Sequence, residues 1–123
     1  MLFKQYMNAV YPKMMWNADM GGVRISIGYA AKCKKLGNKR SWPDIFIAEP
    51  MGGYHGLFIE LKKADYNPLK KDGSPRTEKH ILEQSKMLQS LADRGYKALF
   101  ASGFDAARKI VDAYFASGRT GSS

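Results

Sequence analysis

Apolar residues recur along the chain with two different spacings, and these predict alternating helices and strands. A spacing of four residues links Leu2, Tyr6 and Val10 and predicts a short helix that Pro12 ends. Apolar residues with similar spacing predict three further helices. Gly37 ends the second helix of the chain, and Asp105 caps the last one. The four predicted helices begin at or near residues 2, 27, 77 and 105.

Short apolar runs between these helices predict four strands, over residues 14–17, 44–48, 56–62 and 96–101. The turn at Pro50, Gly52 and Gly53 predicts that the second and third strands form a hairpin. The element order is α(β)αββαβα, an α/β fold with a mixed sheet flanked by helices. We expect a single domain over residues 1–116 and a flexible tail over residues 117–123.

Composition supports a compact basic domain. Hydrophobic residues make up 45% of the 123 residues and the formal charge is +9, a balance that excludes a disordered chain. No apolar run is long enough to span a membrane, and residues 1–13 do not resemble a secretory signal. The lone Cys33 cannot form an internal disulfide, and with only His55 and His80 it cannot complete a zinc site. We therefore expect a cytoplasmic protein with no membrane partner.

Basic residues are concentrated in one stretch that lacks any acidic residue. This stretch lies between Asp19 and Asp44, and it indicates a surface for a polyanion such as nucleic acid. A solvated surface that only aids solubility is the alternative reading. The candidate nucleic-acid-binding residues are Arg24, Lys32, Lys34, Lys35, Lys39 and Arg40.

The candidate chemistry lies in the predicted hairpin. Glu60 and Lys62 share one face of an otherwise apolar strand, and Asp44 opens the partner strand, which can bring it beside Glu60. Two adjacent carboxylates repel each other unless a proton or a cation lies between them, so the pair predicts a site for Mg²⁺ or Mn²⁺. A structural ion pair of Glu60 with Lys62 at a sheet edge, or of Asp44 with a lysine, is the simpler alternative.

These residues resemble a known nuclease signature. Pro43-Asp44 followed by Glu60-Leu61-Lys62 is similar to the PD-(D/E)xK motif, and the chain over residues 5–115 resembles the VRR-NUC branch of that superfamily, particularly its small stand-alone phage and bacterial members. Further matching features occur in the same order along the chain. They are Gly21-Gly22-Val23-Arg24, the basic segment before Gly37, His80 and Gln84, Gly95-Tyr96, Ala101-Ser102 and Asp105-Ala106-Ala107.

The resemblance implies a restriction-endonuclease-like fold and a set of site residues. Asp44, Glu60 and the carbonyl of Leu61 would bind the metal, Lys62 would position the attacking water, and Gln84 would face the site. Family members usually carry a glutamate on the first helix, where Gln5 is the nearest polar residue in this chain. His80 is a further candidate.

The resemblance also implies an activity. We expect a Mg²⁺- or Mn²⁺-dependent DNA endonuclease without a small-molecule cofactor, acting as a homodimer on branched DNA such as four-way (Holliday) junctions in the cytoplasm of a bacterial or phage-infected cell. The alternatives are a non-catalytic DNA-binding module of the same fold, a flap or single-strand nuclease, and an RNA-processing nuclease. Trp16, Trp42 and Tyr29 could stack on DNA, although a core position is the commoner fate of a tryptophan.

Overall fold

A computed structural model describes residues 2–18 and 41–120 and confirms the mixed α/β architecture. The second predicted helix lies outside the described ranges, and so do the six candidate nucleic-acid-binding residues between Arg24 and Arg40. The helices are α1 (Leu2–Val10), α2 (Lys79–Asp93) and α3 (Phe104–Thr120). The strands are β1 (Trp16–Ala18), β2 (Ile45–Ile47), β3 (Leu57–Lys62) and β4 (Lys97–Ser102).

The four strands form one sheet in the order β1-β2-β3-β4. The first three strands are antiparallel, and Ile45 pairs with Ile59 across the predicted hairpin. β3 and β4 are parallel because α2 connects them as a crossover, and Leu57 pairs with Lys97. β3 is therefore a central strand, which explains why its sequence is apolar on both faces.

The two faces of the sheet are covered differently. Alternate side chains of β3, including Leu57 and Ile59, point into the main core that α1 and α3 cover. Phe58, Glu60 and Lys62 point to the opposite face, where Gln84 of α2 contacts Glu60. The buried core comprises Phe3, Met7, Ile45, Ile47, Leu57, Ile59, Ala101, Ala107, Val111, Tyr114 and Phe115.

α1 has its predicted length, but its buried stripe differs from the predicted one. Leu2 and Val10 are 63% and 49% exposed, whereas Phe3 and Met7 are buried. The Phe3 ring packs edge-on against Trp16 with the ring centroids 5.7 Å apart. Both stripes have the same four-residue spacing, so the local pattern could not distinguish them, and the contact with β1 decides which one is buried.

The C-terminal helix is longer than predicted. α3 continues to Thr120, so residues 117–120 are helical and the predicted tail from residue 117 is wrong over that range. Gly118 is packed so closely on Met51 that a Cβ there would clash with the methionine sulfur. Asp105 lies inside the first turn and pairs with Arg108 at 2.6 Å, so it does not act as the predicted cap. Within the described ranges, no helix combines the length and apolar character needed to cross a bilayer.

Candidate active site

The start of β2 positions the first carboxylate. Pro43 is buried and fixes the backbone direction just before Asp44. Ile45 pairs with Ile59 in antiparallel register, so one further step along both strands places Asp44 opposite Glu60. The Leu61 amide donates a hydrogen bond to Oδ2 of Asp44 at 2.8 Å, which continues the contact between the two strands beyond the last paired residues.

Glu60 is the second carboxylate and is 5% exposed, the one charged side chain among the described residues that is fully buried. Its Oε1 accepts a hydrogen bond from Nε2 of Gln84 at 3.1 Å. Its Oε2 is buried and has no hydrogen-bond partner among the described residues, and the same holds for Oε1 of Gln84. Unpaired buried oxygens are rare in folded proteins, so this pair indicates a binding position for a cation or a donor.

The pKa of Glu60 is raised from about 4.5 to about 8, mainly by burial and further by the negative charge of Asp44, against a lowering effect of the Lys62 ammonium group. The pKa therefore records that both carboxylates and the lysine act on each other electrostatically. A strongly raised carboxyl pKa caused by burial together with a charged neighbour is typical of functional sites, and a solvated surface ion pair does not produce it.

The carbonyl of Leu61 faces the same side as Asp44. The Lys62 carbonyl accepts a hydrogen bond from the Gly103 amide at 2.8 Å and so points toward β4. Carbonyls of consecutive residues in a strand point to opposite sides, so the Leu61 carbonyl points away from β4. The Leu61 amide points to that same side, where it donates to Asp44. Two carboxylates and one main-chain carbonyl therefore form an oxygen donor set that suits Mg²⁺ or Mn²⁺.

This donor set is small. In the part of the chain that the structure describes, no three side chains of His, Cys, Asp or Glu come together as metal ligands. A cation held here would keep several coordination positions for water or for substrate oxygens, as Mg²⁺ usually does. The buried unpaired Oε2 of Glu60 fits such a cation, because a positive charge would offset the cost of burying the carboxylate.

The remaining predicted site residues lie at different distances from the carboxylate pair. Lys62 is half-buried on the same face as Glu60, two residues further along β3. Gln84 faces the site, as the resemblance implies. His80 lies one turn earlier in α2, where it is exposed and its Nε2 is 3.7 Å from the Glu78 carboxylate. Gln5 is exposed on α1, a helix that packs on the opposite face of the sheet.

One basic segment next to the site carried no binding role in the sequence analysis. Between β3 and α2 the chain folds into a hairpin-like loop, in which the Lys70 amide donates to the Ser74 carbonyl at 2.8 Å. The loop is attached to β4 because the Ser102 hydroxyl donates to the Tyr66 carbonyl at 2.6 Å. Residues 62–79 contain six Lys or Arg against three Asp or Glu, and this excess of positive charge is the sequence feature that could have indicated a binding role. Five of the cations are exposed: Lys63, Lys70, Lys71, Arg76 and Lys79.

One solved structure connects this geometry with a family. It is described as a "VRR_NUC domain protein", and it shares 32% sequence identity with this chain at a TM-score of 0.58. The match covers 77% of this chain and 68% of the solved one. No protein-family sequence model matches the chain. No curated protein matches it either.

Proposed function

Because this chain belongs to the VRR-NUC family of nuclease domains, we propose that it is a Mg²⁺- or Mn²⁺-dependent DNA endonuclease that hydrolyses phosphodiester bonds in branched DNA. One observation carries the catalytic part of the proposal. It is the pairing of Asp44 with a buried Glu60 whose Oε2 has no hydrogen-bond partner among the described residues. A bound cation explains both the unpaired oxygen and the placing of two carboxylates side by side.

In this proposal each residue has a defined task. Asp44, Glu60 and the Leu61 carbonyl would hold the cation, and the amide of Gln84 holds one oxygen of Glu60, which would leave the other oxygen for the cation. When bound, the metal would supply a water of lowered pKa and would polarise the phosphate. Lys62 carries three ammonium donors on the same face, which can orient that water and stabilise the charge that develops on the phosphate oxygens.

Positive charge supports DNA as the substrate. The segment that follows Lys62 carries five exposed cations, four in the loop between β3 and α2 and one at the start of α2, and these would attract the phosphate backbone of DNA. The sequence-predicted surface over residues 24–40 would add to this attraction and remains a prediction. Contacts of this kind position the DNA and carry little sequence information, which favours recognition of DNA structure over recognition of sequence.

The proposal includes a homodimer that cuts four-way junctions. Its support is the resemblance to small stand-alone family members together with symmetry. A two-fold dimer presents two equivalent sites to two equivalent strands, which matches the paired cuts that resolve a junction.

Cleavage assays test this proposal. Labelled four-way junction, flap, single-stranded and linear duplex DNA are incubated with Mg²⁺, Mn²⁺ or EDTA. Metal-dependent paired cuts in the junction are expected, and they should disappear in Lys62→Ala but persist in Lys4→Ala, the matched change at an exposed lysine of α1, which packs on the opposite face of the sheet.

Other outcomes would change the conclusion. Cutting of flaps or single strands in place of junctions would retain the nuclease and reject the junction preference. Preferred cutting of RNA would identify an RNA-processing nuclease. Tight metal-independent DNA binding without cleavage of any substrate would show a non-catalytic binding module.

A further inference from the structure

Trp42 is a large aromatic side chain that the structure leaves at the surface beside the site. It is 49% exposed, contrary to the core position that is common for tryptophan. Its ring packs edge-on against Phe58, with centroids 5.2 Å apart and planes at 84°. Phe58 is in turn stacked on Phe46 at 4.4 Å and contacts Tyr96 at 5.2 Å. The exposed indole therefore stands on a rigid aromatic layer.

The backbone around Trp42 also restricts its direction. Ser41 has a φ of 69°, in the left-handed region that residues with a side chain rarely adopt. Pro43 follows, and a residue before proline is confined to extended conformations. Pro43 is buried, so both neighbours of Trp42 have defined conformations. An exposed ring fixed in this way loses little conformational freedom when a ligand stacks on it.

The indole lies close to the carboxylate pair. Phe58, which it contacts, shares the sheet face of Glu60 and precedes it by two residues, a separation of roughly 7 Å along a strand. Trp42 also precedes Asp44 by two residues. A flat apolar ring beside the sheet face that carries Glu60 and Lys62 matches one ligand that is both anionic and aromatic, namely a nucleotide of the substrate strand.

We propose that Trp42 stacks on an unpaired or unstacked base next to the scissile phosphate, and that this contact makes the protein prefer branched or distorted DNA to intact duplex. The inference rests on the proposed nuclease function and adds a recognition mechanism to it. A base within a duplex is stacked on both faces, and exposing one face to Trp42 costs unstacking energy. At a branch point or in a single strand a base is already unstacked, so stacking on the indole requires no further unstacking energy and favours those substrates.

Binding measured in EDTA tests the contact without any cleavage. Trp16→Phe leaves Trp42 as the sole tryptophan, because the chain has two. Quenching of its fluorescence by four-way junction DNA, and weaker quenching by a linear duplex of the same arm sequence, is expected. No quenching by either DNA at saturating binding would overturn the proposal.

Variants of Trp42 test its contribution to selectivity. Trp42→Leu keeps an apolar side chain but removes the aromatic face, and it should weaken junction binding about 5- to 150-fold, the range for losing one stacked base, with little change on linear duplex. Trp42→Phe keeps an aromatic face and should recover most of the preference. Equal weakening on both DNAs would show a packing role only. Thermal unfolding checks that Trp42→Leu is folded, and if it is not, the quenching result decides.

Failure of this inference can be told apart from failure of the proposed function. Quenching and Trp42-dependent selectivity without cleavage by the wild-type protein would retain the stacking contact and reject the nuclease. Metal-dependent cleavage whose junction preference survives in Trp42→Leu would do the reverse.

Discussion

The side-chain amide of Gln84 on α2 donates a hydrogen bond to Oε1 of Glu60 on β3 at 3.1 Å, while Oε2 of the same carboxylate has no hydrogen-bond partner among the described residues. The two residues are 24 positions apart in the chain, and the crossover through α2 brings them together. One oxygen is fixed by the protein and the other is left for a ligand. This division of roles underlies the first three predictions.

Replacing Gln84 should impair the site without unfolding the protein. Gln84→Leu removes the donor to Glu60, and hydrogen bonds to charged groups contribute about 1.5–3 kcal/mol, so cleavage should slow by roughly ten- to a hundredfold. Gln89→Leu is the matched control, since Gln89 lies on the exposed face of α2 and bonds Asp93. Equal rates for the two variants in a junction-cleavage time course would contradict a site role for Gln84.

The stability of the metal-free protein should depend on pH through Glu60. Its pKa in the folded state is raised from about 4.5 to about 8, so between these values the folded chain binds more protons than the unfolded chain. The free energy of unfolding should therefore fall as pH rises through this window, by at most about 1.4 kcal/mol per pH unit, and should level off above it.

Urea denaturation in EDTA at pH 5, 7 and 9 measures this slope. Glu60→Gln cannot ionise and should show a much flatter profile than the wild type. The exposed Asp65 lies five residues further along the chain, and Asp65→Asn serves as the control that should leave the slope unchanged. A wild-type profile as flat as that of Glu60→Gln would show that the carboxyl pKa is not raised.

Divalent metal should stabilise the folded protein through the carboxylate pair. A ligand that binds only the folded state at 100 times its Kd adds about 2.7 kcal/mol, so Mn²⁺ or Mg²⁺ at pH 8 should raise the Tm of the wild type. Asp44→Asn and Glu60→Gln should lose this shift, because each removes one charged oxygen ligand, whereas Asp65→Asn should keep it. A shift retained in both site variants would place the metal elsewhere.

The basic loop between β3 and α2 should contribute to the salt dependence of DNA binding. Lys70 and Lys71 are exposed at its tip, and if each meets a phosphate, the double change to alanine should reduce the slope of log K against log salt by about 2. Fluorescence anisotropy on one DNA at several salt concentrations measures the slope. The control is Lys4→Ala with Lys13→Ala, two lysines of the N-terminal segment, and an identical loss there would mean that only the total charge matters.

The helix pair on the far side of the sheet should affect stability but not cleavage. The Tyr6 and Tyr11 hydroxyls both donate to Oδ1 of Asp112 on α3, at 2.5 and 2.7 Å. Tyr11→Phe removes one of these bonds and should cost about 1 kcal/mol of unfolding free energy, with an unchanged cleavage rate. A large loss of activity at full occupancy of the folded state would show that this cluster communicates with the site.

Local patterns in the sequence were enough to predict the order of the elements in residues 2–18 and 41–120 and the residues of the carboxylate site. Alternation along residues 57–62 is a local property, because successive side chains of a strand point to opposite faces whatever lies around them. It therefore placed Glu60 and Lys62 together before any contact was known, and the short turn at Gly52 and Gly53 brought Asp44 within reach.

Long-range packing determines which of two equivalent apolar stripes α1 buries, how far α3 continues and where Trp42 lies. Each depends on contacts between segments far apart in the chain: Phe3 with Trp16, Gly118 with Met51, and Trp42 with Phe58. A residue's own neighbours set its periodicity and its backbone preference. Whether its side chain is buried depends on which distant surface packs against it, and the free energy of that packing is a property of both surfaces together.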